Sequence, residues 1–142
     1  MIEAAEWLQS QGQPLWNPSD LTPDRLRRHV RPDEIFVGYV EKVPAVACLI
    51  QTRDPWFWPG VEDSYFVHKL SVARRFSSQG YGAEMLAWAA RHALSAGQSF
   101  LRLDCAADRP KLRRFYEGCG FRYVDLHRVD TFEVARYQRP LV

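Results

Sequence analysis

Gly80 and Gly82 are the residues from which chemistry can be read first. They open a segment rich in Ala, Leu, Met and Glu, all good helix formers. Before them comes an apolar, strand-like run from His68 to Val72, and then a polar break from Arg74 to Gln79. Strand, glycine turn and helix in that order can bind an anion. The first N–H groups of a helix have no acceptor inside it, the helix dipole adds partial positive charge there, and glycines remove side chains that would hold a phosphate away. A pyrophosphate lying across Gln79 to Ala83 would satisfy those donors. The plain alternative is a glycine-bearing connection that binds nothing. Two familiar phosphate motifs are excluded. No Gly-Lys-Ser/Thr follows, as a P-loop would require. No third glycine follows Gly82, and no strand ends in an acid about 20 residues on, as a dinucleotide fold would require.

The elements around the turn are legible. Leu86, Ala89, Ala90 and Ala93 fall on one helical face, and Gly97 is placed to cap the helix in a left-handed conformation. Ser99 to Cys105 alternates as a strand. Pro110 opens a second helix, stopped by Gly118 and Gly120, and Phe121 opens another strand.

Ser77-Ser78-Gln79-Gly80-Tyr81-Gly82 resembles the acetyl-CoA motif of the GCN5-related N-acetyltransferases, Arg/Gln-x-x-Gly-x-Gly/Ala after a strand. Both glycines match. Ser77 stands where that family usually has Arg or Gln, which leaves the backbone contacts in place. Downstream, LRLDCAADRPKLRRFYEGCGF resembles the family's second motif, Asn-x-x-Leu-x-x-x-Tyr-x-x-x-Gly-Phe, with Tyr116, Gly120 and Phe121 matching and Arg109 where Asn is common. The two motifs cover about half the chain.

Bulk composition agrees with a single domain over residues 1–142. The chain is 46% hydrophobic, enough for a substantial core, and has a net charge of +2. That charge gives no electrostatic case for nucleic acid, although Arg clusters at 25–28 and 109–114. Both clusters read as solvated helix faces; the second could also meet the adenosine phosphates of a cofactor. Cys48, Cys105 and Cys119 have neither metal-ligand nor redox spacing, so no metal is expected. Cys48 and Cys105 read as buried small hydrophobes, and a reducing cytoplasm is the fitting compartment. MIEAAEWL has no basic region or long apolar run, and no stretch of about 20 apolar residues exists, so neither a signal peptide nor a membrane span is expected.

In chain order, Ile2 to Gln11 reads as an amphipathic helix with Ala5, Leu8 and Trp7 inward, ended by Gly12. Pro14 to Pro18 is an irregular link. Ser19 or Thr22 caps a second helix to about His29. Glu34–Tyr39 and Pro44–Thr52 form a hairpin around Glu41-Lys42 whose apolar residues on both faces suggest burial. Arg53 to Asp63 is a loop with three consecutive aromatics, either a plug over the core or a wall of an acceptor site. Strand 99–105, helix 110–117, strand 121–125 and strand 129–137 complete the order α-α-β-β-β-α-β-α-β-β. The expected fold is α/β, a mixed, mostly antiparallel twisted sheet flanked by helices. The family usually begins with a strand, and here a helix comes first. A missing first strand would leave a sheet edge to be covered by a second subunit, making a homodimer, or by the 53–63 loop.

The resemblance implies direct acetyl transfer from acetyl-CoA to a primary amine of a small molecule or peptide. The backbone of Leu70 and Val72 would grip the pantetheine arm, Ser77, Ser78, Gln79, Gly80, Tyr81, Gly82 and Ala83 would hold the pyrophosphate, and Arg109 would approach the cofactor. Tyr116 stands where the family's general acid sits; a tyrosine packing its ring in the core is the competing reading. An ammonium must lose a proton before it can attack. His68, with an ordinary pKa near 6.5, suits that task, and Glu62, Asp63 and a water chain are rivals. A non-catalytic acyl-CoA sensor on the same fold is the second functional class, which Tyr116 argues against.

Overall fold

The computed structural model describes residues 1–11 and 16–142. Gly12, expected to end the first helix, and Pro14 and Leu15 of the link after it lie outside the described residues. The elements are α1 (Ile2–Ser10), α2 (Pro23–Leu26), β1 (Ile35–Val40), β2 (Val43–Gln51), β3 (Ser64–Val72), α3 (Tyr81–Ser95), β4 (Phe100–Ala106), α4 (Pro110–Gly118), β5 (Arg122–Val129) and β6 (Phe132–Pro140). The expected order is therefore observed. Six strands form one mixed sheet in the order β1-β2-β3-β4-β6-β5. The β1/β2, β4/β6 and β5/β6 pairs are antiparallel and β3/β4 is parallel. Packing divides the chain into two compact units, residues 1–49 with 69–85 and residues 50–68 with 86–142.

In the first unit, α1 begins at Ile2 and no strand precedes it among the described residues. Ala5 is fully buried as expected, but Trp7 is not inward. Its ring is half exposed beneath the Arg74 guanidinium, 3.8 Å from the ring centroid, and the Arg74 N–H donates to Glu3 Oε1 at 2.6 Å. The second helix is one turn long rather than reaching His29, and Thr22 makes no side-chain cap. Asn17 instead accepts from the Ser19 N–H, capping a short 3-10 turn at Pro18–Leu21. In the hairpin, Glu41 and Lys42 both take positive φ (49° and 68°), the pair of left-handed residues that matches strand twist. β2 buries Ala45, Val46, Cys48, Leu49 and Ile50 as expected. β1 does not: it is the edge strand, and its Ile35, Val37 and Tyr39 are exposed.

In the second unit, Leu86, Ala89, Ala90 and Ala93 form the buried face of α3. Gly97 has φ 81°. Its N–H donates to Leu94 O (2.9 Å) and the Gln98 N–H to Ala93 O (3.0 Å), closing the helix as the sequence indicated. β5 and β6 run longer and later than expected because their turn falls at Asp130, φ 52°. The parallel ladder runs Ser64↔Phe100, Tyr65↔Leu101 and Phe66↔Arg102. His68 and Asp104 each lie two residues beyond its last pair, so alternation sets them on the same face.

Leu86 is buried and Leu94 half exposed on the same helix. Leu86→Ala is expected to cost about 2–5 kcal/mol and Leu94→Ala well under 1, compared by urea denaturation. Similar midpoints for the two variants would contradict the assigned face.

Candidate active site

The glycine turn lies in the first unit. A 3-10 turn, Arg74–Phe76, ends at Ser77, and Ser78 (φ 60°) and Gly80 (φ 87°) swing the chain into α3. Phe76 is buried and meets Tyr81 edge-on at 5.9 Å, which anchors the turn from beneath. The Gln79 side-chain amide donates to Arg75 O at 3.3 Å. Ser78, Gln79, Gly80 and Ala83 are exposed. The first internal bond of α3 runs from the Glu84 N–H to Gly80 O (3.0 Å), so the preceding N–H groups belong to the helix start and point away from its ladder. A Cβ built on Gly80 meets nothing within 4 Å. Leu70 and Val72 follow Lys69, which takes φ 52° in mid-strand and interrupts the pleat; its ammonium stands 5.5 Å from the Trp16 ring centroid.

Tyr116, Arg109 and His68 lie in the second unit. The Tyr116 ring is buried against Phe115 (5.4 Å), Phe121 (6.0 Å, edge-on) and Tyr137 (6.4 Å). Arg109 is the residue before Pro110 at the start of α4, 3.7 Å from Asp108. Within its cluster Arg113 is no solvated side chain: it donates to the Tyr137 hydroxyl (3.1 Å) and to Ala107 O (3.2 Å). The 25–28 cluster is solvated, with Asp20–Arg25 and Asp24–Arg27 pairs at its surface.

The aromatic loop is braced rather than loose. Trp58 is buried with two guanidiniums over its ring, Arg136 at 4.5 Å and Arg102 at 5.3 Å from the centroid. Arg136 also donates to Phe57 O (3.0 Å) and through two nitrogens to the Asp125 carboxylate (2.7 Å each). Arg102 donates to Asp63, to the Ser64 hydroxyl and to Gln138. Trp56, in the same loop, is among the most exposed large side chains.

Two residues that sequence reasoning missed are Asp54 and Asp104. The Asp54 side chain is only 5% exposed. Its Oδ1 accepts from the Phe57 N–H (3.0 Å) and its carbonyl from the Trp58 N–H (2.9 Å). Its Oδ2 accepts no hydrogen bond and lies 3.4 Å from His68 Nε2. Asp104 completes a trio whose polar atoms lie within 4.8 Å of one another. Polar residues at 102 and 104 in an otherwise apolar strand were the available signal. The donor types would suit a divalent cation, but the Arg136 charge acts on Asp104 and opposes one, so the trio fits proton handling better. Of the rivals to His68, Glu62 is exposed. Burial pushes the Asp63 pKa up, but the Ser64 hydroxyl and the Arg102 guanidinium outweigh it and hold the carboxyl below 3.8, which makes a poor base.

Residues 1–121 match the acetyltransferase (GNAT) family, and the chain belongs to that family. It is 32% identical over 134 residues to the uncharacterized N-acetyltransferase YesJ of Bacillus subtilis, covering 87% of this chain and 73% of the relative. A GNAT acetyltransferase from Listeria monocytogenes superposes with a TM-score of 0.75 at 23% identity, covering 98% of this chain and 84% of that one. A Bacillus subtilis acetyltransferase in complex with CoA superposes at 0.68 and 12% identity, over 87% and 86%.

Asp125 gives a pH prediction. The Arg136 hydrogen bond, set against burial, holds its carboxyl below the ordinary 3.8. A depressed pKa stabilises the fold above the unfolded value, and that contribution is lost as pH falls through the folded value. Asp125→Asn should therefore lose less of its Tm than the parent on acidification from pH 4 to pH 2. Parallel Tm–pH curves for the two proteins would show that the pair contributes nothing.

Proposed function

We propose that this chain transfers an acetyl group from acetyl-CoA directly to a primary amine of a small molecule or peptide, working as one catalytic domain. The observation that carries this reading is the turn at Ser78–Ala83: exposed at Ser78, Gln79, Gly80 and Ala83, glycine-opened, and leading into a helix whose first internal bond begins only at Glu84. Its N–H groups would receive the pyrophosphate, with Ser77 adding a short hydroxyl in place of a longer side chain. The backbone of Leu70 and Val72 would hold the pantetheine arm, and Arg109 would neutralise phosphate charge. Binding both reactants together lowers the barrier by replacing a bimolecular encounter, and a fixed N–H of β3 would meet the charge developing on the thioester oxygen. His68 would accept the ammonium proton. Tyr116 would protonate the leaving thiolate, its ring fixed by the surrounding aromatics. The exposed Trp56 and its braced loop suit an acceptor wall. Free cysteines fit a cytoplasmic setting, and pairing through the β1 edge would cover Ile35, Val37 and Tyr39 in a homodimer.

CoA is expected to raise the Tm of the parent. Gly80→Asp should abolish that rise, because it sets a negative charge in the phosphate path while its Cβ meets no neighbour. Gly60→Asp carries the same backbone strain, at φ 75° with open space around it, and should keep the rise. Equal CoA responses from the two variants would remove the phosphate site from this turn.

Tyr116→Phe should keep CoA affinity and lower kcat for thiol release by about 10²–10⁴-fold. Undiminished turnover with the best amine of a panel would return Tyr116 to a packing role.

A further inference from the structure

We infer that Asp54 is a positioning residue for acetyl transfer: its buried Oδ2, 3.4 Å from His68 Nε2, fixes the imidazole as the Nε2–H tautomer and makes Nδ1 the atom that takes the ammonium proton. The inference deepens the proposed function and rests on His68 being its base. Three observations carry it. Asp54 is charged chemistry in a buried place, since its side chain is 5% exposed and Oδ2 accepts no hydrogen bond, a costly arrangement unless a proton donor faces it. Its other oxygen is already committed to the Phe57 N–H, so the carboxylate cannot rotate away. The loop that carries it is clamped at Phe57 and Trp58 by Arg136, and at Trp58 and Asp63 by Arg102, so Oδ2 is held at the ring by strands β4 and β6.

The steps balance. R–NH3⁺ gives one proton to His68 Nδ1, and the imidazolium so formed is paired through Nε2–H with Asp54. The neutral amine forms the C–N bond to the acetyl carbonyl and the C–S bond breaks. Tyr116 gives its proton to the thiolate, and the resulting phenolate takes the second proton from the nitrogen, which leaves Tyr116 neutral. His68 returns its proton to solvent, and amide, CoA thiol and one H⁺ result. Among the groups facing the ring within its unit are Asp54 and Asp104, with Arg136 acting on Asp104; two carboxylates favour an acceptor that arrives as a cation.

The test uses the full chain, acetyl-CoA and the best amine of a panel, with thiol release as readout and the CoA-induced Tm shift as a check on folding. Asp54→Asn should lower kcat by about 10–10²-fold with the Tm shift kept, and should move the acid limb of the kcat/KM profile to lower pH, because the imidazolium loses its partner. In a His68→Gln background the same change should cost nothing further. Losses that multiply in the double variant would overturn the inference. A His68→Gln variant with unchanged kcat and pH profile would instead remove His68 as base, a failure of the underlying reading. Should Asp54→Asn not fold, imidazole ¹⁵N shifts of the parent, with His68 assigned by its absence in His68→Gln, decide the matter. A protonated Nε2 in the neutral ring is expected, and a protonated Nδ1 would overturn the inference.

Discussion

A carboxylate buried without a full set of hydrogen bonds is the constraint around which the second unit is arranged. Removing the Asp54 charge from water costs several kcal/mol unless a cation or donor compensates. The chain responds with one backbone donor at Oδ1, an imidazole at Oδ2, and a loop that cannot relax. The loop is tied down where Arg102 and Arg136 stand over the Trp58 ring. Each guanidinium is tied elsewhere, Arg136 to Asp125 and Phe57 O, Arg102 to Asp63, Ser64 and Gln138. Two guanidiniums stand over one ring, and cation–π contacts strengthen where water is excluded. The loop is thus neither the plug nor the bare wall alone: Trp58 plugs, and Trp56 remains exposed.

The first unit handles charge in the opposite manner. No side chain supplies a cation at the tip of the turn, where Ser77, Ser78 and Gln79 are all neutral. Anion affinity there, as proposed, would be carried by backbone donors and by the dipole of a 15-residue helix. Backbone donors are insensitive to side-chain identity, so a short Ser77 would be compatible with the proposed site. At Gly80 the requirement is conformational, since φ 87° is a left-handed value that penalises side chains.

What sequence made legible follows from range. The glycine turn, the buried face of α3, the Gly97 cap and the Glu41-Lys42 hairpin are all set within a few residues, and each appears as read. The errors at α2 and β1 are tertiary in origin. Pro23 begins a helix none of whose own residues is buried, so packing does not extend it beyond one turn. β1 has apolar residues on both faces, yet its place at the sheet edge leaves one face exposed. The Asp54–His68 contact and the Phe57–Arg136 bond, which spans 79 positions, leave no local periodic signal. His68 itself was found through its strand, whereas the carboxylates that define its surroundings came only with the fold.

The thiols bear on the order of chemical events. Burial pushes the Cys48 thiol up to about 12, and burial followed by the adjacent Asp104 charge pushes Cys105 up to about 11. Cys119 is also raised by burial. At pH 7 a thiol with a pKa of 11 is ionised to about one part in 10⁴, and only the thiolate attacks a thioester at a useful rate. An acyl-cysteine intermediate therefore has no activated nucleophile among these three residues. The direct transfer proposed above would need none of them, and both reactants would then be bound together before the C–N bond forms. A braced loop would suit that arrangement, because an acceptor held by a rigid wall would keep its nitrogen within reach of a proton acceptor that is itself fixed in orientation.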